Sequence, residues 1–198
     1  MAVVFLASCS TTGGEVKDGR TPLKQLSCIA VLPAGTTLDK QMMVGDGPDR
    51  SLEQGAAFVT GIMARELKNN KKVHLISDSQ AAGFAPEVSG GISGMVAAIG
   101  KKVGCDAVMV TTVRRFKQRE GTEYASDDPA SADLHIALMH AGSGAVLWTA
   151  DFRETQESFL ENILTFDKMQ NRGFKWVSVE QLVEQGLTER LAVCPYLQ

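Results

Sequence analysis

The sequence predicts an α/β domain of three-layer-like architecture, in which a mixed β-sheet is packed by helices and continues into a helical C-terminal extension. Two observations favour this fold class. Residues 26–76 have the pattern of strand, amphipathic helix and strand, a β-α-β unit whose crossover is normally right-handed and whose strands are parallel. Residues 107–152 contain three apolar strands separated by turns, which predicts an antiparallel meander.

Composition limits the function classes before any motif is considered. A chain of 198 residues with 44% hydrophobic and 22% charged residues fits one globular domain. The net charge of −3 provides no basic field of the kind that binds nucleic acid. No apolar run approaches the roughly 18 residues that a membrane-spanning helix needs. We therefore expect one domain and no nucleic-acid partner.

The β-α-β unit is indicated by its apolar periodicity. Residues 26–33 (LSCIAVLP) form an apolar run that ends at a proline and suits a buried strand. Ser51 stands three residues before Gln54, which is the spacing of a capping box at the start of a helix. The apolar stripe of this helix is formed by Leu52, Ala56, Val59, Met63 and Leu67. Residues 73–76 (VHLI) then form a second strand.

A Gly-rich loop over residues 83–94 and a shorter helix precede the meander. The apolar face of this helix consists of Met95, Val96, Ile99 and Val103. The strand over residues 107–117 is apolar in its first half and charged in its second, which predicts that it starts inside the sheet and extends past the sheet edge. Residues 118–129 form a polar hairpin tip, and residues 134–139 and 145–152 complete the meander.

The last third of the chain is predicted to be helical. Apolar residues within 159–169 recur at spacings of three and four, and residues 171–173 (NRG) end this helix. Ser178 and Gln181 form another capping box. The apolar stripe behind it consists of Val179, Leu182, Val183, Leu187 and Leu191.

The N-terminal stretch MAVVFLASCS is a short apolar run that ends in small residues and a cysteine. Its segment Leu6-Ala7-Ser8-Cys9 resembles the lipobox of bacterial lipoproteins. The resemblance implies that residues 1–8 belong to a signal peptide and that Cys9 becomes an N-terminus carrying a diacylglycerol and a further acyl chain such as palmitate. The polar, Gly-rich residues 10–22 are typical of a tether. No Lys or Arg precedes Cys9, unlike in a complete signal peptide, and the alternative is an edge strand of a cytosolic protein.

Segments of the body resemble a known domain in their order. They are IAVLP, GAAFVTGIMARELKNNKKVHLIS, VGCDAVMVTTVRRF and HAGSGAVLWTADF. Together they resemble the periplasmic lipoprotein domain of the curli secretion-channel protein and of penicillin-binding-protein activator lipoproteins. The N-terminal domain of the Tol translocation β-propeller protein is similar. The resemblance covers about residues 26–153, and its best marker is AGSGAVLW over residues 141–148. The long amphipathic hairpins of the curli pore are not found, so a secretion pore is not predicted.

The predicted domain organisation has three parts. Residues 1–8 are a partial signal peptide, and residues 9–25 are the lipidated N-terminus and tether. Residues 26–198 form a single α/β lipoprotein domain, with a family-like core over 26–153 and a helical tail over 154–198.

Residue types that carry chemistry occur singly, so we predict no catalytic set, no cofactor and no metal site. His135 and His140 are five residues apart and therefore lie on opposite faces of one strand. Residues 90–94 lack the Lys-Ser/Thr ending of a phosphate-binding loop. The basic residues around Phe116 are interpreted as a solvated strand edge. They are Arg114, Arg115, Lys117 and Arg119.

Two aromatic residues are candidates for an interaction site. Phe174 and Trp176 flank Lys175 in a connector between the two C-terminal helices. Connectors are usually exposed, and exposed aromatic side chains are typical binding anchors. The alternative is that both rings pack back onto the helices.

The remaining cysteines depend on the compartment. If Cys9 is acylated, the other three cysteines lie in an oxidising space. Because the termini of a domain are often close together, we expect Cys28 and Cys194 to form a disulfide. Cys105, at the turn into a buried strand, is expected to pack as a small hydrophobic residue.

The sequence therefore predicts a membrane-anchored lipoprotein on the periplasmic face of the outer membrane. It is expected to be non-enzymatic and to act through protein–protein interaction with an envelope protein. One alternative is an oligomeric structural subunit of an envelope assembly or secretion complex. A further alternative is a cytosolic enzyme or ligand-binding domain.

Overall fold

Strands from both halves of the chain form one mixed sheet in the computed structural model, which describes residues 25–36, 50–84, 91–121, 126–155 and 177–198. The strands are β1 (Ile29–Val31), β2 (Gly35–Thr36), β3 (Val73–Leu75), β4 (Ala107–Lys117), β5 (Glu120–Gly121), β6 (Ser126–Asp128), β7 (Ser131–His140) and β8 (Val146–Thr155). The helices are α1 (Arg50–Leu67), α2 (Asp78–Phe84), α3 (Gly91–Val103) and α4 (Val179–Ala192).

The six-stranded sheet has the order β3-β1-β4-β7-β8, and β2 also pairs with β4. β1 is parallel to both β3 and β4, as is β2 to β4. β4, β7 and β8 form an antiparallel meander, and β5 pairs with β6 in a small hairpin at its tip. The predicted fold class is confirmed, including the parallel β-α-β start and the three-stranded meander.

One side of the sheet is covered by α1 and α4, and we call it the α1–α4 side. Because side chains alternate along a strand, Ile29 and Val31 of β1 face this side and are buried there. Leu134, Ile136 and Leu138 of β7 do the same. Burying a large apolar side chain stabilises the fold by about 1.5–3 kcal/mol. The core of this domain therefore lies mainly between the sheet and these two helices.

Helix α4 matches its prediction. The Ser178 side chain accepts a hydrogen bond from the Gln181 backbone, and the Gln181 side chain accepts one from the Ser178 backbone, so the capping box is confirmed. All five residues of the predicted apolar stripe are buried on the α1–α4 side: Val179, Leu182, Val183, Leu187 and Leu191. The predicted helix over 159–169 lies outside the described residues.

The opposite side of the sheet carries α2 and α3 over one part, and we call it the α2–α3 side. Its apolar cluster joins Ala30, Leu32, Val108, Ala137 and Met139 of the sheet region to Phe84, Val96 and Ile99 of the helices. Helix α2 occupies residues 78–84, where the sequence interpretation has only an entry to a loop. Its start has a reciprocal pair like that of α4, because Ser77 N donates to Gln80 Oε1 (2.9 Å) and Gln80 N donates to Ser77 Oγ (3.3 Å).

Two sequence-based expectations about element ends are wrong. Helix α1 begins at Arg50, so Ser51 lies within its first turn and not at the cap. Strand β4 does not extend past the sheet edge, because it is a central strand that remains paired with β7 as far as Lys117, opposite Ser131. The charged second half of β4 reflects an exposed sheet face there, whereas Phe116 points inward and is only 7% exposed.

None of the helices within the described parts of the chain combines the length and apolarity that crossing a membrane requires.

The contact between Gly186 of α4 and Phe152 of β8 can be tested by substitution. A Cβ atom at Gly186 would overlap the Phe152 ring, whereas a Cβ at Gly61 of α1 would meet nothing within 4 Å. We expect Gly186→Ala to lower the free energy of unfolding by about 1–3 kcal/mol. The matched control Gly61→Ala should raise it by up to about 1 kcal/mol, because alanine favours the helix. Urea unfolding measures both, and equal effects of the two variants would contradict this packing.

Candidate functional site on the sheet

A disulfide joins Cys28 and Cys105 at the end of the sheet where β1 and β4 begin. The two Cα atoms are 4.6 Å apart, within the range that a disulfide spans. Parallel pairing places Ile29 beside Ala107, so the residues just before both strands are neighbours. The sequence-based expectation that Cys105 only packs as a small side chain is therefore wrong.

The predicted Cys28–Cys194 disulfide is also wrong, because the sheet separates the two residues. Cys28 packs on the α2–α3 side, with Ala30 of β1 and Leu32 just after that strand. Cys194 is buried with Leu191 on the α1–α4 side and remains a free thiol. Burial raises the pKa of the Cys194 thiol, which keeps it protonated and unreactive.

Asp106 stabilises the same end of the sheet through hydrogen bonds. Its Oδ2 atom accepts hydrogen bonds from Ser27 N (2.7 Å), Ser27 Oγ (2.5 Å) and Cys28 N (3.2 Å). The Asp106 backbone N–H in turn donates to the Cys28 carbonyl (3.0 Å). The hydrogen bond from the Ser27 hydroxyl, together with those from the two backbone N–H groups, lowers the pKa of Asp106. These bonds hold the approach to β1 against β4 beside the disulfide.

Farther along the meander, charged side chains cover the part of the sheet that α2 and α3 leave exposed. We call this cluster the polar sheet face; it consists of Arg114, Asp133, His135, Asp151 and Arg153. Arg153 Nε donates to Asp133 Oδ2 at 2.8 Å, and Arg114 Nη1 lies 3.9 Å from Asp133 Oδ1. His135 Nδ1 lies 2.9 Å from Asp151 Oδ1, and Arg114 Nη1 lies 3.5 Å from the same oxygen.

Strand register explains why these residues meet. Asp133 lies opposite Arg153, and His135 lies opposite Asp151, in the β7–β8 ladder. Arg114 follows Val113, which faces the α1–α4 side, so alternation along β4 directs Arg114 to the same cluster. The Asp133 side chain is only 9% exposed, so its carboxylate depends on its two arginine partners. The outer residues Asp151 and Arg153 are 61% and 71% exposed, so a partner in solution can reach them.

The polar sheet face is built from acids paired with bases. Within the described ranges no group of three His, Cys, Asp or Glu residues is placed to hold a metal ion. His135 is bonded to a carboxylate, and the hydroxyl of its cross-strand neighbour Thr112 makes no hydrogen bond with it. His140 Nδ1 instead bonds Ser143 Oγ (2.9 Å) and accepts from Ser143 N (3.1 Å), which closes the turn between β7 and β8.

Sequence reasoning missed the polar sheet face. The signal was present in the alternation of β7, where Asp133 and His135 are interspersed with Leu134 and Ile136. It was also present in β8, where Asp151 precedes Arg153 by two residues. Recognising the cluster required the cross-strand register, because neither strand alone contains a complete pair.

The sequence-predicted site residues are not brought into this cluster. Cys9, Phe174 and Trp176 lie outside the described residues, and their assignments stay predictions. The basic group in β4 is paired with β7 as far as Lys117, whereas the pairing of β4 with β1 and β2 ends at Val113, so the other edge of this segment has no partner strand among the described residues. Phe116, the aromatic residue within this group, has its ring centroid 6.1 Å from the ring centroid of Phe58 in α1, and both rings pack in the core.

Comparison with known proteins gives likenesses of fold only. No family model matches the chain, and no curated protein matches its sequence. The PelC dodecamer from Paraburkholderia phytofirmans has 13% identity and a TM-score of 0.49, covering 89% of this chain and 91% of that one. The C-terminal domain of LpoB from Escherichia coli has 18% identity and a TM-score of 0.40, covering 67% and 86%. Lipoprotein GNA1162 from Neisseria meningitidis has 15% identity and a TM-score of 0.40, covering 73% and 96%.

Each of these three TM-scores is below 0.5, and the resemblance to periplasmic lipoprotein domains that the sequence suggests stays a prediction. The likenesses to the curli channel and to the Tol protein stay predictions.

The hydrogen bonds at Asp106 predict a pH dependence of stability. Its pKa is lowered in the folded chain from an ordinary 3.8, so its contribution is present above that pH and is lost as the pH falls below it. We expect Asp106→Asn to lower the free energy of unfolding at pH 7 by about 0.5–1 kcal/mol. The wild-type chain should converge on the variant as the pH falls below 3.8 and through the lowered pKa of Asp106.

Ser27→Ala provides the matched comparison, because it removes the hydroxyl donor and leaves both backbone donors in place. Urea unfolding at several pH values measures all three proteins, and Ser27→Ala should lie between the other two. A constant difference between wild type and Asp106→Asn across this pH range would contradict the assignment.

Proposed function

We propose that this chain is a lipid-anchored protein of the bacterial envelope, held on the periplasmic face of the outer membrane, that binds another protein and is not an enzyme. The observation that carries the proposal is the disulfide between Cys28 and Cys105, which are 77 residues apart. Structural disulfides persist in the periplasm and other oxidising compartments and are rare in the cytosol. The disulfide therefore favours export over the cytosolic alternative.

The cysteine pattern supports Cys9 as the site of the anchor. Cys28 and Cys105 are joined to each other, and Cys194 is a buried free thiol. Cys9 is the remaining cysteine, and it stands in the lipobox-like segment LASC. A thioether to a diacylglycerol requires such a thiol, and the polar stretch STTGGEVKDGRTP that follows suits a link to the domain.

The polar sheet face supports a binding role. Its outer residues Asp151 and Arg153 are well exposed, while the inner carboxylate of Asp133 is neutralised by arginines. This arrangement offers a partner a fixed pattern of charges at little cost of rearrangement. In the described residues the one histidine of this cluster is paired with an acid and has no nucleophile bonded to it, which supports recognition over catalysis.

One experiment tests the anchor and the compartment together. The protein is purified from its own host under alkylating conditions, and its intact mass and disulfide-linked peptides are measured. We expect an N-terminus at Cys9 carrying three acyl chains, a Cys28–Cys105 linked peptide, and alkylation of Cys194 only after denaturation. A retained Met1 with an unmodified Cys9 would refute the anchor. Free thiols at Cys28 and Cys105 would refute the oxidising compartment.

A second experiment tests binding at the polar sheet face. A photo-crosslinking amino acid replaces Thr112, which lies beside His135 on that face, in cells carrying the native gene. The same amino acid at exposed Glu66 of α1 is the control. We expect an adduct from position 112 that forms only when Cys9 is present, and none from position 66. Absence of any adduct at position 112 would remove the support for binding at this face.

A further inference from the structure

The sheet ends in a long strand at β8. This terminal strand spans Val146–Thr155, whereas the strand at the other end of the sheet, β3, has only three residues. β8 pairs with β7 along its inner edge, and among the described residues no strand pairs with its outer edge. An outer edge of this length presents backbone N–H and C=O groups that can accept another strand.

The two sides of β8 differ sharply in character. Phe152 points to the α1–α4 side, is 5% exposed and lies under Gly186 of α4. Because side chains alternate, four polar residues project from the other side, and all four are exposed. They are Thr149, Asp151, Arg153 and Thr155. Any strand added to this edge must therefore match a short pattern of threonine, acid, base and threonine.

We propose that β8 pairs antiparallel with β8 of a second copy of this chain, about a twofold axis at Phe152. In this register Asp151 of each copy lies opposite Arg153 of the other, and Thr149 lies opposite Thr155. The twofold axis produces each pair twice, as an isologous interface requires. Opposite charges and paired threonines that lie directly opposite each other both stabilise a ladder.

Charge complementarity selects this register over its neighbours. An axis at Asp151 places that aspartate opposite itself, and an axis at Arg153 places that arginine opposite itself. Like charges directly opposite each other destabilise a ladder. An axis between two residues would oppose Phe152 to a polar residue, which mismatches the two sides of the combined sheet.

The residues that form these pairs remain accessible in the single chain. Asp151 and Arg153 are 61% and 71% exposed in spite of their contacts with His135 and Asp133. Arg190 Nε of α4 donates to the Asp151 carbonyl at 3.1 Å. A carbonyl oxygen has two acceptor lone pairs, so this bond leaves room for a ladder bond from the second copy.

Reciprocal charge variants test the register. The full-length chain carrying Cys9→Ser, which removes the acylation site, is the background for all proteins. Wild-type β8 should self-associate with a dissociation constant of about 10–100 µM, since an interface of one strand is small. Asp151→Arg alone places like positive charges opposite each other, and Arg153→Asp alone places like negative charges. Each is expected to weaken self-association by about tenfold or more.

Mixing the two variants in equal amounts is the decisive step. In a mixed pair one copy has arginine at positions 151 and 153 and the other has aspartate at both, so opposite charges face each other and association should return to within about threefold of wild type. Sedimentation and native mass spectrometry measure the species. Each variant loses ion pairs within its own chain, and mixing the two variants cannot restore those pairs. Recovery in the mixture therefore reports contacts between chains.

Three outcomes overturn the proposal: a wild-type chain that stays monomeric at about 500 µM, single variants that associate as well as wild type, or a mixture that does not recover. Circular dichroism confirms that each variant is folded. If a variant is not folded, amide hydrogen exchange of the Cys9→Ser protein with wild-type β8 takes the place of the variant experiment. Protection of the β8 amides over 149–155 should then fall on dilution, and unchanged protection overturns the proposal. The result does not depend on acylation, so failure here and failure of the envelope anchor are separable.

Discussion

Strand β4 bonds to β1 along one edge and to β7 along the other, and this double pairing joins the β-α-β unit to the meander. Its register with β1 sets Ile29 beside Ala107. Slipping by one residue would turn every buried side chain of a strand toward the wrong side of the sheet, so the register is strongly held. The disulfide and the Asp106 bonds at the start of both strands follow from it, because they join residues that this pairing makes neighbours.

The same strand organises the opposite end of the sheet. Alternation from Val113 sends Arg114 to the exposed side, and the irregularity that follows Val113 returns Phe116 to the α1–α4 side, where its ring packs against Phe58. β7 and β8 then supply the partners of Arg114 in register. Packing in the core and the ion pairs on the surface are therefore coupled through one backbone path. A surface cluster built on a ladder in this way is preorganised, which lowers the entropic cost of recognition.

The two sides of the sheet differ in how much of their surface is covered by helices. The α1–α4 side is closed by the packing of α4, whose stripe is wholly buried. The α2–α3 side is apolar near the disulfide and charged toward the far end of the meander. A protein that works by contact needs an exposed, specific surface on a rigid base. Asp151 and Arg153 belong both to the charged part of this side and to β8, so the proposed binding face and the proposed strand pairing share these two residues.

Local sequence determined most of the elements, because apolar periodicity and capping pairs such as Ser178–Gln181 act between residues close in the chain. These patterns predicted β1, β3, β4, β7, β8 and α4, but not the short strands β2, β5 and β6. The same local rule, applied to Ser77 and Gln80, would have found α2. The cysteine pairing and the polar sheet face were decided only by tertiary structure. The sheet separates Cys28 from Cys194, and the β7–β8 ladder places Asp133 opposite Arg153. Both facts depend on which strands are neighbours and on their register. Strand order and register join residues far apart in the chain, so no local sequence pattern predicts them.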